Sequence, residues 1–286
     1  MVKKIFAYSY VYLILFLMYV PILTLIVFSF TNATYIGTWN GFDLSLYKKL
    51  FESEEIMIAL GNTFIIAIIS AVCSTVLGTL GAVGVFYSKK TSRAIFENIN
   101  QIPVVNAEIV MALSLVVMFV FIGNKIFAGA NLFSFRTLLA GHIVISAPFV
   151  YLNVKPKLQQ MDPSLYEAAL DLGCTPRKAL WRITLPEILP GIFSGFMLAI
   201  TLSLDDFIVT AFTRGSGLLS GAGNIETLST LVQAKIKKGP IPPEMRPLTT
   251  IIFIIVVLVV LFISLNRNKG ISSKVKNRRK LRERAE

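Results

Sequence analysis

The sequence predicts an all-α, polytopic membrane protein with six transmembrane helices and both termini in the cytoplasm. Composition is the first reason: 55% of the 286 residues are hydrophobic and only 15% charged, with a mean hydropathy of +0.70, too apolar for a chain of this length to be solvated by water. The second is that the apolar residues gather in six blocks, several of them as long as the roughly 20 helical residues needed to cross a hydrocarbon core. The third is the uneven placement of lysine and arginine between the connections.

The first block, Ile5–Phe30, follows Met1-Val2-Lys3-Lys4. It is too long for a signal peptide and no small-residue cleavage site closes it, so it is expected to be a span. An outer connection over 31–58 carries Trp39 and an acidic cluster, Glu52, Glu54 and Glu55. The second block, Ala59–Ser88, leads to the basic inner cluster Lys89, Lys90 and Arg93, and the third, Val104–Gly123, holds Glu108 near its cytoplasmic end. The fourth, Thr137–Val154, contains the only histidine, His142, expected to be a hydrogen-bonded residue of helix packing. An inner loop over 155–187 precedes the fifth block, Ile188–Phe212. The outer loop over 213–247 opens with Gly215, Gly217, Gly221 and Gly223, continues as a short amphipathic helix over Ile225–Lys238 and ends in Gly239-Pro240-Ile241-Pro242-Pro243. Leu248–Leu265 closes a transmembrane domain over 1–265, and a basic tail occupies 266–286. The runs are uninterrupted and lack the alternation of barrel strands, so helices are the fitting secondary structure.

With the N-terminus inside, nineteen lysines and arginines fall on the inner side and nine on the outer, the cytoplasmic bias of multi-pass proteins. The net charge of +12 is not a nucleic-acid signature, because nine of the 28 basic residues lie in the last twenty positions, directly after an apolar block. The anionic face of a bilayer is the simpler partner there, and no nucleic acid is expected. Cys73 and Cys174 cannot build a disulfide framework and read as unpaired thiols. No metal-ligand spacing occurs, so no cofactor is expected.

The inner loop carries the most information. Asp162-Pro163 is an N-cap followed by proline at the first helical position. Gly173 stands where a left-handed C-terminal residue is wanted. Thr175-Pro176 repeats the cap-and-proline start, and Leu185-Pro186 is expected to end the second short helix. Ala168 and Ala169 leave part of the first helix nearly bare, so another surface could approach its backbone. The residues alone permit a docking knob or an ordinary amphipathic loop at the membrane surface.

Glu167-Ala168-Ala169, then three residues, Gly173, nine residues and Ile183-Thr184-Leu185-Pro186 together resemble the EAA loop of ABC importer permeases. Within that family the chain is most similar to the second permease of spermidine/putrescine importers, through Pro103–Leu115, His142, Ala147-Pro148-Phe149-Val150, Ser203-Leu204-Asp205-Asp206-Phe207 and Glu226–Thr250. The glycine-rich Gly215–Gly223 and the long basic tail depart from the pattern. The resemblance implies a multi-pass protein of the plasma or inner membrane, pairing with a second homologous permease as a heterodimer. Its loop would dock on a dimer of cytoplasmic ABC ATPases through Glu167, Ala168, Ala169, Gly173, Ile183, Leu185 and Pro186. An extracytoplasmic substrate-binding protein would deliver the solute, and Asp205, Asp206, Glu108, Ser203 and Trp39 would line its path.

Physical chemistry gives the aspartates weight of their own. Each ionised carboxylate at the centre of a membrane helix costs about 2.5–3.5 kcal/mol on insertion scales, against a gain of roughly 0.3–0.6 kcal/mol per leucine, isoleucine or phenylalanine. The fifth block can insert, but two acids are retained there only if they face water, a cation or a partner helix. Acidic groups with a nearby aromatic such as Trp39 would suit an organic cation, although Trp39 serves equally as an interfacial anchor. No basic residue lies within the six blocks, which argues against an anion path.

Other classes fit less well. No G-x-x-x-x-G-K-[ST] loop occurs, so ATP hydrolysis would belong to another polypeptide and the chain is expected to be no enzyme. An intramembrane aspartyl protease needs acids on separate helices and a Gly-x-Gly-Asp, and a prenyl-transferring Asp-Asp-x-x-Asp fails because Asp206 is followed by Phe207, Ile208 and Val209. An ion-driven secondary transporter would show inverted repeats, and none is evident. An importer of another solute, such as an iron complex or an anion, remains the alternative within the class.

Overall fold

The computed structural model describes residues 2–33, 35, 37–126, 133–215, 225–239 and 242–258. Residues 216–224 of the glycine-rich segment and the whole basic tail lie outside the described residues. The chain divides into two compact units, Met1–Glu54 with Gly239–Glu286, and Glu55–Lys238.

In the first unit, helix α1 (Val2–Phe28) is an apolar rod whose side chains are largely exposed, Tyr12 and Met18 among them. The Ser29 hydroxyl donates to the Ile26 carbonyl at 2.7 Å and bonds the Tyr47 hydroxyl at 2.9 Å, turning the chain toward helix α2 (Ser45–Glu52), which buries Leu46 and Leu50. Asp43 starts that helix by accepting from the Ser45 N–H at 2.8 Å and the Ser45 hydroxyl at 2.9 Å, bonds that hold its carboxyl below the usual range. The last described helix of this unit, Met245–Leu258, is apolar.

The second unit begins with helix α3 (Glu54–Phe86), followed by α4 (Lys90–Val105), α5 (Glu108–Ile126) and α6 (Phe135–Gln160). Helices α7 (Pro163–Asp171) and α8 (Pro176–Ala179) come next, then a π-helical turn over Leu180–Thr184, α9 (Leu185–Asp205), α10 (Ile208–Thr213) and α11 (Leu228–Lys238). Among the described residues, five helices are long and apolar enough to cross a membrane.

Helices α6 and α9 pair extensively along their length. The core of the unit joins Val150, Tyr151, Val154 and Leu158 of α6 to Ile188 and Ala199 of α9 and to Ala71 and Ala82 of α3. Glycines set how closely the helices approach, as expected where packing rather than water exclusion drives association. A Cβ on Gly78 would lie 2.8 Å from the Ala147 carbonyl oxygen and 2.7 Å from the Val150 Cβ, and one on Gly195 would lie 3.1 Å from the Val150 Cα. Gly78→Val is therefore expected to lower the melting temperature of the detergent-solubilised protein by several degrees, since overpacking costs about 1–3 kcal/mol. Gly84→Val is the control, because a Cβ there meets nothing within 4 Å. Equal melting of the two variants would show that the α3–α6 approach is not tight.

On the α4 side, the Glu97 carboxylate receives Lys155 Nζ at 3.0 Å and Arg93 Nε at 3.0 Å. Those bonds, the one from Lys155 foremost, hold its carboxyl below the usual range and tie α4 to α6.

Two elements differ from the sequence expectation. Leu185-Pro186 does not end a helix, because the chain runs helically from Pro176 to Asp205, 30 residues. The π turn explains how. Pro186 has no N–H to donate, and in an α-helix its ring would crowd the Arg182 carbonyl. Widening the preceding turn, so that the Leu185 N–H bonds the Leu180 carbonyl, lets the helix continue. Conversely, the apolar block Ile188–Phe212 is not one helix, since Asp206 takes an extended conformation (φ −61°, ψ 123°) between α9 and α10.

Candidate functional site

Two places in the second unit gather the residues singled out by sequence, and one helical rod joins them. The first is the elbow around Gly173. The Asp162 carboxylate accepts from the Ser164 N–H at 3.0 Å, which starts α7 and holds the Asp162 carboxyl below its usual range. Gly173 has φ +84°. Its N–H donates to the Leu170 carbonyl at 2.9 Å, and the Cys174 N–H donates to the Ala169 carbonyl at 3.0 Å, the paired bonds of a Schellman ending. Thr175 Oγ1 then accepts from the Lys178 N–H at 3.4 Å, opening α8.

The elbow is braced from within the unit. Helix α7 packs on the π turn, the Tyr166 ring lies 5.2 Å from that of Tyr87 at the end of α3, and the Tyr87 hydroxyl reaches Thr184 Oγ1 at 3.4 Å. Of the adjacent alanines, Ala169 is buried while Ala168 and Glu167 are exposed. Small size therefore serves internal packing at Ala169 and leaves an open face at Ala168. Ile183 and Leu185 are half-buried and Pro186 exposed, all three on the rod rather than on a loop. The sequence reading missed Leu172 and Trp181, which are 86% and 68% exposed. A leucine between Asp171 and Gly173 and a tryptophan before Arg182, both in the connection between two apolar blocks, were the available signal, since exposed apolar surface implies a partner.

From α8 through the π turn to the end of α9, the rod is about 45 Å long at 1.5 Å per residue. Its far end is the break at Asp206. The Asp206 carboxylate accepts from the Val209 N–H at 3.3 Å, the Thr210 N–H at 2.8 Å and the Thr210 hydroxyl at 2.9 Å, so it caps α10. Its backbone carbonyl accepts from the Ser229 hydroxyl of α11 at 2.7 Å. Helix α11 is held there by two further bonds, Leu228 N–H to Thr63 Oγ1 at 2.8 Å and Asn62 Nδ2 to the Glu226 carbonyl at 2.9 Å.

Behind the cap lies a buried polar chain. His142 Nε2 is 2.9 Å from Thr210 Oγ1 and its Nδ1 is 2.8 Å from Ser203 Oγ, while the Ser70 hydroxyl donates to Ser203 Oγ at 3.0 Å. Because Thr210 gives its proton to Asp206, its oxygen takes the Nε2–H, and Nδ1 accepts from Ser203. The chain thus runs in one direction, from Ser70 through Ser203, His142 and Thr210 to Asp206, and assigns His142 as the neutral Nε2–H tautomer. His142 is the hydrogen-bonded packing residue expected from sequence.

The predicted path residues are placed unequally. Asp205 is exposed at the end of α9, and among the described residues no group of another residue hydrogen-bonds its carboxylate. Asp206 is nearly enclosed, with a side chain 9% exposed. Ser203 is buried at 4% and engaged by His142 and Ser70. Glu108 is exposed in the first turn of α5, where a negative charge suits the helix N-terminus, and it forms no hydrogen bond or ion pair with Asp205 or Asp206 among the described residues. Trp39 belongs to the first unit, 53% exposed with its ring edge-on to Phe28 at 6.4 Å. Backbone freed by a helix break is tolerated at membrane depth only inside protein or beside a water-filled cavity. Here protein satisfies Asp206, while Asp205 is exposed.

Residues 74–269, more than half of the chain, match the family profile described as binding-protein-dependent transport system inner membrane component. The chain is 33% identical over 236 residues to the putrescine transport system permease protein PotI of Escherichia coli (strain K12), covering 82% of this chain and 81% of that protein. It is 30% identical over 262 residues to the spermidine/putrescine transport system permease protein PotC of the same strain, covering 91% and 94%. A solved bacterial ABC transporter involved in the import of the acidic polysaccharide alginate shares the fold, with a TM-score of 0.72 at 21% identity over 91% of this chain and 93% of that one.

Proposed function

Because the chain belongs to the family of binding-protein-dependent transport system inner membrane components and is a non-catalytic permease subunit of an ABC importer, we propose that its cargo is a polyamine, spermidine or putrescine. The observation that carries this reading is the exposed Asp205 carboxylate at a helix break within an apolar block, in a chain whose relatives include polyamine permeases. A carboxylate there replaces part of an amine's hydration. The absence of lysine and arginine from the interiors of the apolar blocks leaves nothing to repel a polycation.

The six-span topology with both ends inside follows from the charge bias, with residues 1–265 as the permease domain and 266–286 as a cytoplasmic tail drawn to anionic lipid. The elbow over 155–187 faces the cytosol in this topology, and a dimer of ABC ATPases grips it. Glu167, Ala168 and Gly173 act at its tip, and Ala169, Ile183, Leu185 and Pro186 brace it against the rod. Leu172 and Trp181 add apolar surface for the same partner. A second permease completes the pore as a heterodimer, and an extracytoplasmic binding protein loads it past the outer segments 31–58 and 213–247. Trp39 meets the amine first on the outer side, the Asp205 carboxylate at the break forms the middle of the path with Asp206 and Ser203 packed behind it, and Glu108 is its inner acid.

Uptake of labelled spermidine by cells expressing this permease with its partner subunits tests the reading. Saturable uptake that unlabelled putrescine competes away is expected. An assembled transporter that ignores both polyamines while another solute stimulates its ATPase would overturn the cargo assignment and leave the importer intact.

A further inference from the structure

The two adjacent aspartates have opposite surroundings. We propose that Asp206 is a positioning residue rather than a cargo contact. Its carboxylate caps α10 and, through Thr210, His142, Ser203 and Ser70, locks the break between α9 and α10 to α6 and α3, and it acts on transport only by fixing where Asp205 stands. The inference rests on the cation-path reading and divides the labour within it.

Three observations carry it. Both carboxylate oxygens of Asp206 are engaged inside the protein, since one receives the Val209 N–H and the other both the N–H and the hydroxyl of Thr210. A carboxylate that accepts several bonds at a helix start does the work of an N-cap, and with 9% of its side chain exposed it has little surface to offer a solute. Its support comes from three other elements, with Ser229 on α11, His142 on α6 and Ser70 on α3 each placed by a bond of 3.0 Å or less in the same connected set. Helices α6 and α10 also approach closely enough that a Cβ on Gly141 would lie 2.7 Å from Val209 Cγ1, so the capped first turn of α10 is seated directly against α6. Asp205, one residue away, has none of these bonds and is exposed.

The two residues therefore answer differently to loss of charge and to loss of hydrogen bonding. Asparagine keeps an acceptor at the cap and is as good an N-cap as aspartate, but it offers a cation no charge. The test uses the complete transporter, with its second permease, ATPase and binding protein, reconstituted in proteoliposomes, and reads spermidine uptake beside the melting temperature of the detergent-solubilised complex. Asp206→Asn gives up only the 3.3 Å acceptor facing the Val209 N–H, and is expected to keep uptake within threefold of wild type and to melt within a few degrees of it. Asp206→Ala is expected to lower both, and to lower melting much less when His142→Leu has already broken the chain behind the cap. Asp205→Asn is expected to reduce uptake at least tenfold with melting unchanged, and Asp205→Glu to restore most of it.

If Asp206→Asn loses uptake as severely as Asp205→Asn at wild-type melting temperature, Asp206 meets the cargo and the proposal is overturned. Asp206→Ala melting like wild type overturns it as well, by showing that the cap holds nothing. Should wild type move neither spermidine nor putrescine, the cargo reading falls, and the melting arms still decide whether Asp206 positions the break.

Discussion

Gly173→Val is expected to leave the permease in the membrane at wild-type level and to lower cargo-stimulated ATP hydrolysis and uptake by the assembled transporter at least tenfold. The residue turns the chain between α7 and α8 with φ +84°, and a Cβ there would meet no atom within 4 Å. The penalty is therefore conformational rather than steric. A left-handed residue bearing a Cβ costs roughly 1–2 kcal/mol, and a β-branched one sits at the unfavourable end of that range. The elbow is small and its outer face is exposed, so little packing is available to absorb the cost, and 1–2 kcal/mol shifts a local equilibrium about 5–30-fold. The two bonds donated by Gly173 and Cys174 would open, and the face carrying Glu167, Ala168 and Leu172 would change direction against the ATPase. Gly173→Asn is the informative partner variant, because asparagine tolerates the left-handed region, and it is expected to retain most of the coupling. Wild-type coupling in Gly173→Val would show that docking does not depend on the shape of the elbow. Loss in both variants would point to a requirement for bare backbone at this position.

His142→Leu is expected to be among the most destabilising single changes in the second unit. The ring is 3% exposed and bonds Ser203 and Thr210 at 2.8 and 2.9 Å. Leucine fills comparable space but leaves the Ser203 proton and a Thr210 lone pair without partners. A buried orphaned group costs about 1–3 kcal/mol in water-soluble proteins, and an interhelical bond in a membrane protein about 0.6–2 kcal/mol. Two lost bonds thus sum to about 1–4 kcal/mol, or a melting shift on the order of 2–15 °C for a unit of this size. His142→Gln, which can still donate and accept, is expected to fall between. Melting of His142→Leu within a degree of wild type would mean that the polar chain contributes nothing net to holding α6, α9 and α10 together. Uptake should fall in step with stability if the histidine acts only through packing.

Much of this was legible in the residues because the signals are local. Hydrophobic run length gives the spans, since a helix must bridge a fixed thickness of hydrocarbon. The helix starts at Asp162 and Thr175 and the turn at Gly173 follow from single side chains bonding their own backbone, and all three stand where the sequence places them. The break at Asp206 was not legible, because Ile188–Phe212 carries no charge apart from its two acids and reads as one hydrophobic run, and a hydropathy pattern averages over the dihedral angles of one residue. The continuity through Pro186 escaped for the opposite reason. Proline reads as a stop, and only the widened turn beneath it, packed against α7 and braced by Tyr87, makes it passable.

The sequence by itself thus determined the chain's class, its apolar blocks and the chemistry of its inner elbow, because composition, charge bias and capping act within a few residues of one another. Tertiary structure alone decided which of two identical neighbouring carboxylates is enclosed and which is open. The Asp206 carboxylate bonds Val209 and Thr210, three and four residues on, but what closes over that cap is His142, Ser203 and Ser70, brought to Thr210 from α6, α9 and α3. No local pattern encodes such a meeting, because hydrogen-bond capacity belongs to a residue whereas its satisfaction depends on what the fold brings alongside.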